Sequence, residues 1–260
     1  MATSVTDARM ARGAVIRLAS TPEAVAAAAA SEVVAVLEAA MAWRGEAHLA
    51  LSGGRTPAAL HQVLASLPFD GWSHVHVWFG DERTVPPAHQ DSNYRMARET
   101  LLSAVPIPER QVHRWEAELA PGDAASRYDA ALRDLAARQE RAVPAFDLLL
   151  LGMGGDAHTA SLFPGSPLLV GPGDADPAAT FATAVEVPTM NTWRLTVTPA
   201  TIRAARTVFV LVVGADKHAA LRRVLGESPD PLQAPATVLL DQPGDLAWYV
   251  DRAALFGVPT

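Results

Sequence analysis

Two stretches, "FDLLLLG" at 146–152 and "TVFVLVVG" at 207–214, are apolar almost without a break. Successive side chains of a strand point to opposite faces, so a strand of this kind needs cover on both. That demand restricts the chain to layers: a mostly parallel sheet enclosed by helices. Further short runs at 14–19, 47–52, 74–80, 181–187 and 193–199 read as strands. Between them lie longer amphipathic stretches, and the pattern predicts helices over Thr21–Trp43 (Pro22 in the first turn), Pro57–Leu67, Ser92–Ala104, Gly122–Arg141 and Asp216–Leu225. The expected architecture is a Rossmann-like α/β fold with a smaller merged α/β lobe. With no repeat and no low-complexity linker, residues 1–260 read as one domain. The segment "PLLVGPGDADPAAT" (167–180) reads as a surface loop placed to act as a lid.

Composition narrows the function. A formal charge of −7 argues against nucleic acid or an anionic membrane as the main partner, while a small anionic substrate needs only a few local cations. The chain has no cysteine, which removes disulfides, thiolate nucleophiles and cysteine-bound metals. The first twenty residues hold no uninterrupted apolar segment, and Glu32 and Glu38 break the Ala-rich run that follows. Neither a signal peptide nor a membrane span is expected, and the cytosol is the simplest location.

Ligands of open α/β sheets gather at the carboxyl ends of the strands. Three loops there carry chemistry. In "LALSGGRTPAAL" (49–60), Ser52, Gly53, Gly54, Arg55 and Thr56 precede a proline that opens a helix, which suits a phosphate cradle built from backbone N–H groups and a helix N-terminus. Its plain alternative is a tight turn capped by Thr56. In "VWFGDERTVPPAHQDSNYRMA" (77–97), Asp81, Glu82 and Arg83 follow the strand. Arg83 offers a bidentate fork for phosphate, against the reading of a solvated charged turn. In "LGMGGDAHTASLFPG" (151–165), Gly154, Gly155, Asp156 and His158 read as a loop feeding a short helix that ends by Pro164. A histidine there suits a general base, against the reading of a packed or capping residue. The remaining histidines read as structural. The pair His74 and His76 comes nearest to a metal motif without a matching carboxylate, so no metal is assigned.

In this order the three blocks, with "WRLTVT" (193–198) and "GADKHAAL" (214–221) as shorter support, resemble the 6-phosphogluconolactonase family, within the larger group of glucosamine-6-phosphate isomerase-like folds. The resemblance implies hydrolysis of 6-phospho-D-glucono-1,5-lactone without cofactor or metal. It makes His158 the base that activates water and Asp81 a site aspartate. Gly53, Gly54, Thr56 and Arg83 become substrate- and phosphate-binding elements, and Arg194 and Lys217 become cations near the phosphate. Asp81 or Asp156 is expected to orient His158, with the Gly154-Gly155 N–H groups or a cation receiving the oxyanion. No G-x-S-x-G motif is present, so water attacks directly rather than through an acyl-enzyme.

Two rivals are weighed: a glucosamine-6-phosphate isomerase or deaminase, and a non-catalytic sugar-phosphate sensor. In the deaminases a glutamate precedes the Pro-Gly, where this chain has Phe163, and a phenyl ring exchanges no proton. A sensor asks for a DNA-binding segment and a basic face, and neither is visible here. Relatives mostly carry "DGH" where this chain has "DAH". Ala157 is therefore expected at negative φ, in helix-like geometry, because alanine at positive φ costs about 1 kcal/mol.

Overall fold

The structure, a computed structural model, describes residues 6–9, 15–170, 180–226 and 229–257. In chain order the strands are β1 (Thr6–Arg9), β2 (Val15–Ala19), β3 (Ala47–Leu51), β4 (Val75–Phe79), β5 (Asp81–Arg83), β6 (Leu148–Gly152), β7 (Ala182–Val187), β8 (Thr192–Val197), β9 (Thr207–Val212) and β10 (Asp245–Asp251). The helices are α1 (Pro22–Arg44), α2 (Arg55–Ser66), α3 (Asn93–Ala97), α4 (Pro121–Arg138), α5 (Pro199–Ala204), α6 (His218–Val224) and α7 (Arg252–Phe256). Seven strands form one sheet in the order β1-β2-β10-β9-β6-β3-β4. Its pairings are parallel except for β1 on β2. Every residue of β3 is buried, as are the leucines of β6 and nearly all of β9 and β10, so the apolar runs are covered on both faces.

The seven expected strands are present to within about two residues, but β7 and β8 leave the main sheet. They form a second, antiparallel sheet with β5, in the order β5-β8-β7. The chain passes between the sheets at Gly80, whose N–H donates to the Leu51 carbonyl and whose carbonyl accepts from Val197 N–H, both at 2.9 Å. Asp81–Arg83 is thus a strand rather than a solvated turn, because its backbone pairs with Thr196–Arg194 of β8. β1, β5 and β10 were not anticipated, and neither were the short helices α5 and α7.

Helix α1 follows its capping chemistry. Thr21 accepts from Ala24 N–H at 3.2 Å, Pro22 opens the first turn, and Gly45 at φ 80° closes the end. By length and composition this helix could cross a bilayer, yet its buried face packs on β2, β3, β10 and α2. The helix expected over Ser92–Ala104 is α3 followed by a π-helical turn, Arg98–Leu102. Most of the expected surface loop, 171–179, lies outside the described residues.

Four histidines sit in packing roles away from the carboxyl ends of the strands. His48 on β3 accepts from Trp78 Nε1 at 3.2 Å and meets Glu46 at 3.1 Å. His113 stacks on Trp78 and lies 3.0 Å from His76 Nδ1. His61, fully buried on α2, is bonded through Nδ1 to Thr100 at 3.1 Å. Burial pulls His61 down to about 4, and burial followed by the neighbouring His76 and His48 does the same to His113. Unfolded histidines bind a proton near pH 6.5, whereas these stay neutral in the fold. The unfolded chain therefore holds more protons between pH 6.5 and about 4, and stability falls as pH drops through that window. Replacing His61 by Leu is expected to flatten this loss. Urea melts at falling pH should show the variant gaining on the parent by up to about 3 kcal/mol near pH 4.

Candidate active site

Loops following four adjacent strands, β9, β6, β3 and β4, converge on one cleft of about 280 Å³. After β3 the chain continues outward to β4 and returns across β3 to β6, so the cleft lies where the winding reverses, the usual ligand position in such sheets. The lining includes Ser52, Gly53, Gly54, Arg55, Thr56, Asp81, Arg83, Asn93, Gly154, His158, Asp216 and Lys217. A larger open groove, about 640 Å³, runs between α4 and β7, and its one charged residue, Asp129, is occupied in binding the Phe181 and Ala182 N–H groups.

The first loop begins α2 two residues before the expected Pro57. Its N-cap is Gly54, at φ 106°, with no side-chain cap, so Thr56 lies inside the first turn instead of capping it. The N–H groups of Arg55 and Thr56, both lining the cleft, consequently have no side-chain acceptor, which suits an anion. Lys217, from the turn after β9, lines the same cleft with its Nζ 3.1 Å from Asp216. Gly53 is required by a close approach: a Cβ there would stand 1.9 Å from Asn93 Oδ1.

Glu82 organises the second loop from beneath. Its buried carboxylate accepts from the N–H groups of Arg83 (2.8 Å), Asn93 (2.7 Å) and Tyr94 (2.8 Å) and from the Ser92 hydroxyl (3.1 Å). Burial raises its pKa, and the backbone donors oppose that rise. Asn93, so anchored, donates through Nδ2 to the Asp81 carbonyl at 2.9 Å and to its carboxylate at 3.3 Å, while Ser161 donates to the other carboxylate oxygen at 2.8 Å. Neutral donors from two loops thus hold Asp81.

The third loop forms no helix. Ala157 and Ala160 have φ of 69° and 46°, which interrupts any right-handed turn. The expectation of negative φ at Ala157 is therefore corrected. The fully buried Ala157 is held in this geometry by its N–H on the Gly154 carbonyl (3.0 Å) and its own carbonyl under Ala236 N–H (2.9 Å). Asp156 Oδ1 meets His158 Nδ1 at 2.6 Å and accepts the His158 backbone N–H at 3.1 Å. The His158 hydrogen bond, above all, brings Asp156 down to about 2, so it is an acceptor only. In the neutral imidazole the proton accordingly belongs on Nδ1, which leaves the lone pair to Nε2. Asp156, and not Asp81, is the partner of this histidine.

Not every expected residue lines the cleft. Gly154 N–H donates to the His158 carbonyl at 2.9 Å and is spent, so the expected oxyanion contact from it is corrected. Gly155 and Asp156 lie outside the lining, the Gly155 carbonyl bonded to Arg223 and Asp156 reaching the cleft only through His158. Arg194 pairs in register with Arg83, and the two share an adjoining groove with Thr84, Asp91 and Met190. Burial first, and Arg83 second, lower the Arg194 pKa. Among the described residues, no group of three or more His, Cys, Asp or Glu is arranged to hold a metal ion. Asn93 and Ser161 were missed as site residues. Their only signal is through space, since Asn93 reads locally as a helix start.

The model of the family described as glucosamine-6-phosphate isomerases/6-phosphogluconolactonase matches residues 20–248. The chain belongs to this family. It is 40% identical to a 6-phosphogluconolactonase of Synechocystis over 83% of this chain and 86% of that protein. Against the enzyme of the same name from Rattus norvegicus identity is 38%, over 83% of each. Among solved structures, the 6-phosphogluconolactonase of Trypanosoma brucei superposes with a TM-score of 0.80 at 29% identity, covering 98% of this chain and 100% of that one. That of Thermotoga maritima gives 0.76 at 27%, covering 92% and 100%.

Within this family frame, Gly154 is the residue whose lack of a side chain the dyad needs most directly. A Cβ there would lie 2.1 Å from His158 Nδ1 and 2.4 Å from Asp156 Oδ1, although the backbone itself is not in the left-handed region. Gly154→Ala is expected to fold normally and to lose the downfield imidazole N–H proton resonance that a short His–Asp hydrogen bond gives. A retained resonance would show that the dyad tolerates the methyl group.

Proposed function

We propose that this chain hydrolyses 6-phospho-D-glucono-1,5-lactone to 6-phosphogluconate, with His158 as the base. The observation that carries the proposal is His158 at the cleft: its Nδ1 is fixed on Asp156 at 2.6 Å, its Nε2 has no protein partner among the described residues, and it shares the cleft with Arg55, Arg83 and Lys217. The names of the relatives support the same substrate.

A δ-lactone is an activated ester, so the chemistry asks for little. His158 Nε2 takes a proton from water as the water oxygen bonds to the lactone carbonyl carbon. Asp156, ionised throughout the neutral range, balances the imidazolium that forms. With Gly154 N–H committed, the oxyanion falls to a cation of the cleft. Collapse breaks the bond to the ring oxygen, which leaves as the 5-hydroxyl after receiving the proton held on His158. The uncapped start of α2, with Lys217 across from it, takes the phosphate. Phe163, where an isomerase would carry an acid, offers no second proton carrier, which supports hydrolysis over ring-opening isomerisation.

The assay follows lactone loss and acid release at pH 7 beside the spontaneous reaction, with ammonia release from glucosamine 6-phosphate measured in parallel. Catalysis above the spontaneous rate and no ammonia are expected; a rate equal to the spontaneous one would falsify the assignment. His158→Ala should lower kcat by about 10²–10⁴. Asp156→Asn should also lower kcat strongly, because an amide no longer fixes the tautomer or balances the imidazolium.

A further inference from the structure

Phe163 has a placement that core packing does not explain. Its ring belongs neither to the buried core nor to the hydrophobic side chains packed against it, whereas the preceding Leu162 is fully buried. What the ring does touch is His158: the two centroids lie 4.5 Å apart with planes tilted by 32°. A tight turn aims it there, with Ser166 N–H on the Phe163 carbonyl at 3.0 Å and Gly165 N–H tied to the Leu232 carbonyl at 2.9 Å.

The hydrogen bond to Asp156 fixes one point of the imidazole and leaves the ring free to rock about it, since the last torsion of a histidine is broad. Two further contacts restrict that motion. The Gly154 backbone lies so close that a Cβ on it would come within 2.3 Å of Cε1, and Phe163 lies against the ring as an aromatic neighbour at ordinary pair distance. We propose that Phe163 is a positioning residue for the base, holding the imidazole so that Nε2 stays aimed into the cleft. The proposal rests on the reading of His158 as base. Because Phe163 is not part of the cleft lining, its effect falls on kcat and not on substrate binding.

The test compares Phe163→Leu, Phe163→Ala and Phe163→Tyr, each also checked for folding by thermal melt, together with Phe163→Leu in the His158→Ala background. Leu and Ala are expected to lower kcat about 10-fold or more with KM within about twofold, as lost orientation does, and Tyr to restore the parent rate. In the His158→Ala background the Leu substitution should have no further effect. If Ala fails to fold, Leu and Tyr decide. Unchanged kcat in the Leu variant, or a rise confined to KM, overturns the role of Phe163 while leaving the base in place. A second loss in the His158→Ala background overturns it equally. A near-normal rate in His158→Ala itself instead removes the base, and the positioning proposal with it.

Discussion

The site depends on a constraint that lies outside it: β3, β6 and β9 are buried on both faces, so their interiors have no place for catalytic groups. Polar chemistry is displaced to where these strands end and the backbone must turn. Adjacent strands end side by side, so loops distant in sequence, at 52–56, 152–158 and 213–217, line one cleft. The sheet thus sets the position of the chemistry, and the loops set its kind.

A second layer of order comes from polar groups that are almost completely buried. Glu82 gathers three backbone N–H groups and a hydroxyl, and in doing so fixes Asn93 beside Gly53 and Asp81. Such a carboxylate is costly to bury and is retained only with its donors in place. Ser161 completes the arrangement from the opposite side, coupling the His158 loop to the smaller sheet through Asp81.

The parts legible in the sequence are those governed by local rules. Apolar runs gave most of the strands, and Thr21 with Pro22 gave the start of α1. The three chemically rich loops followed from strand ends alone. What was not legible depended on partners elsewhere in the chain. Three charged residues at 81–83 do not look like a strand until β8 lies beside them. Alanine at 157 favours negative φ by itself, and the opposite sign is imposed by hydrogen bonds to Gly154 and Ala236. The choice between Asp81 and Asp156 likewise needed Ser161 and Asn93, which take up the Asp81 carboxylate.

The loop from Gly152 to Thr159 is tied to itself at several points: Gly154 to the His158 carbonyl, Ala157 to the Gly154 carbonyl, Asp156 to the backbone nitrogen and Nδ1 of His158, and Thr159 to the Gly152 carbonyl at 2.9 Å. The entropy of ordering this loop is lost when the chain folds and not when a substrate arrives. In the reaction proposed above, binding energy from the phosphate end would then serve to bring the reacting carbon to His158 rather than to order the loop that carries it.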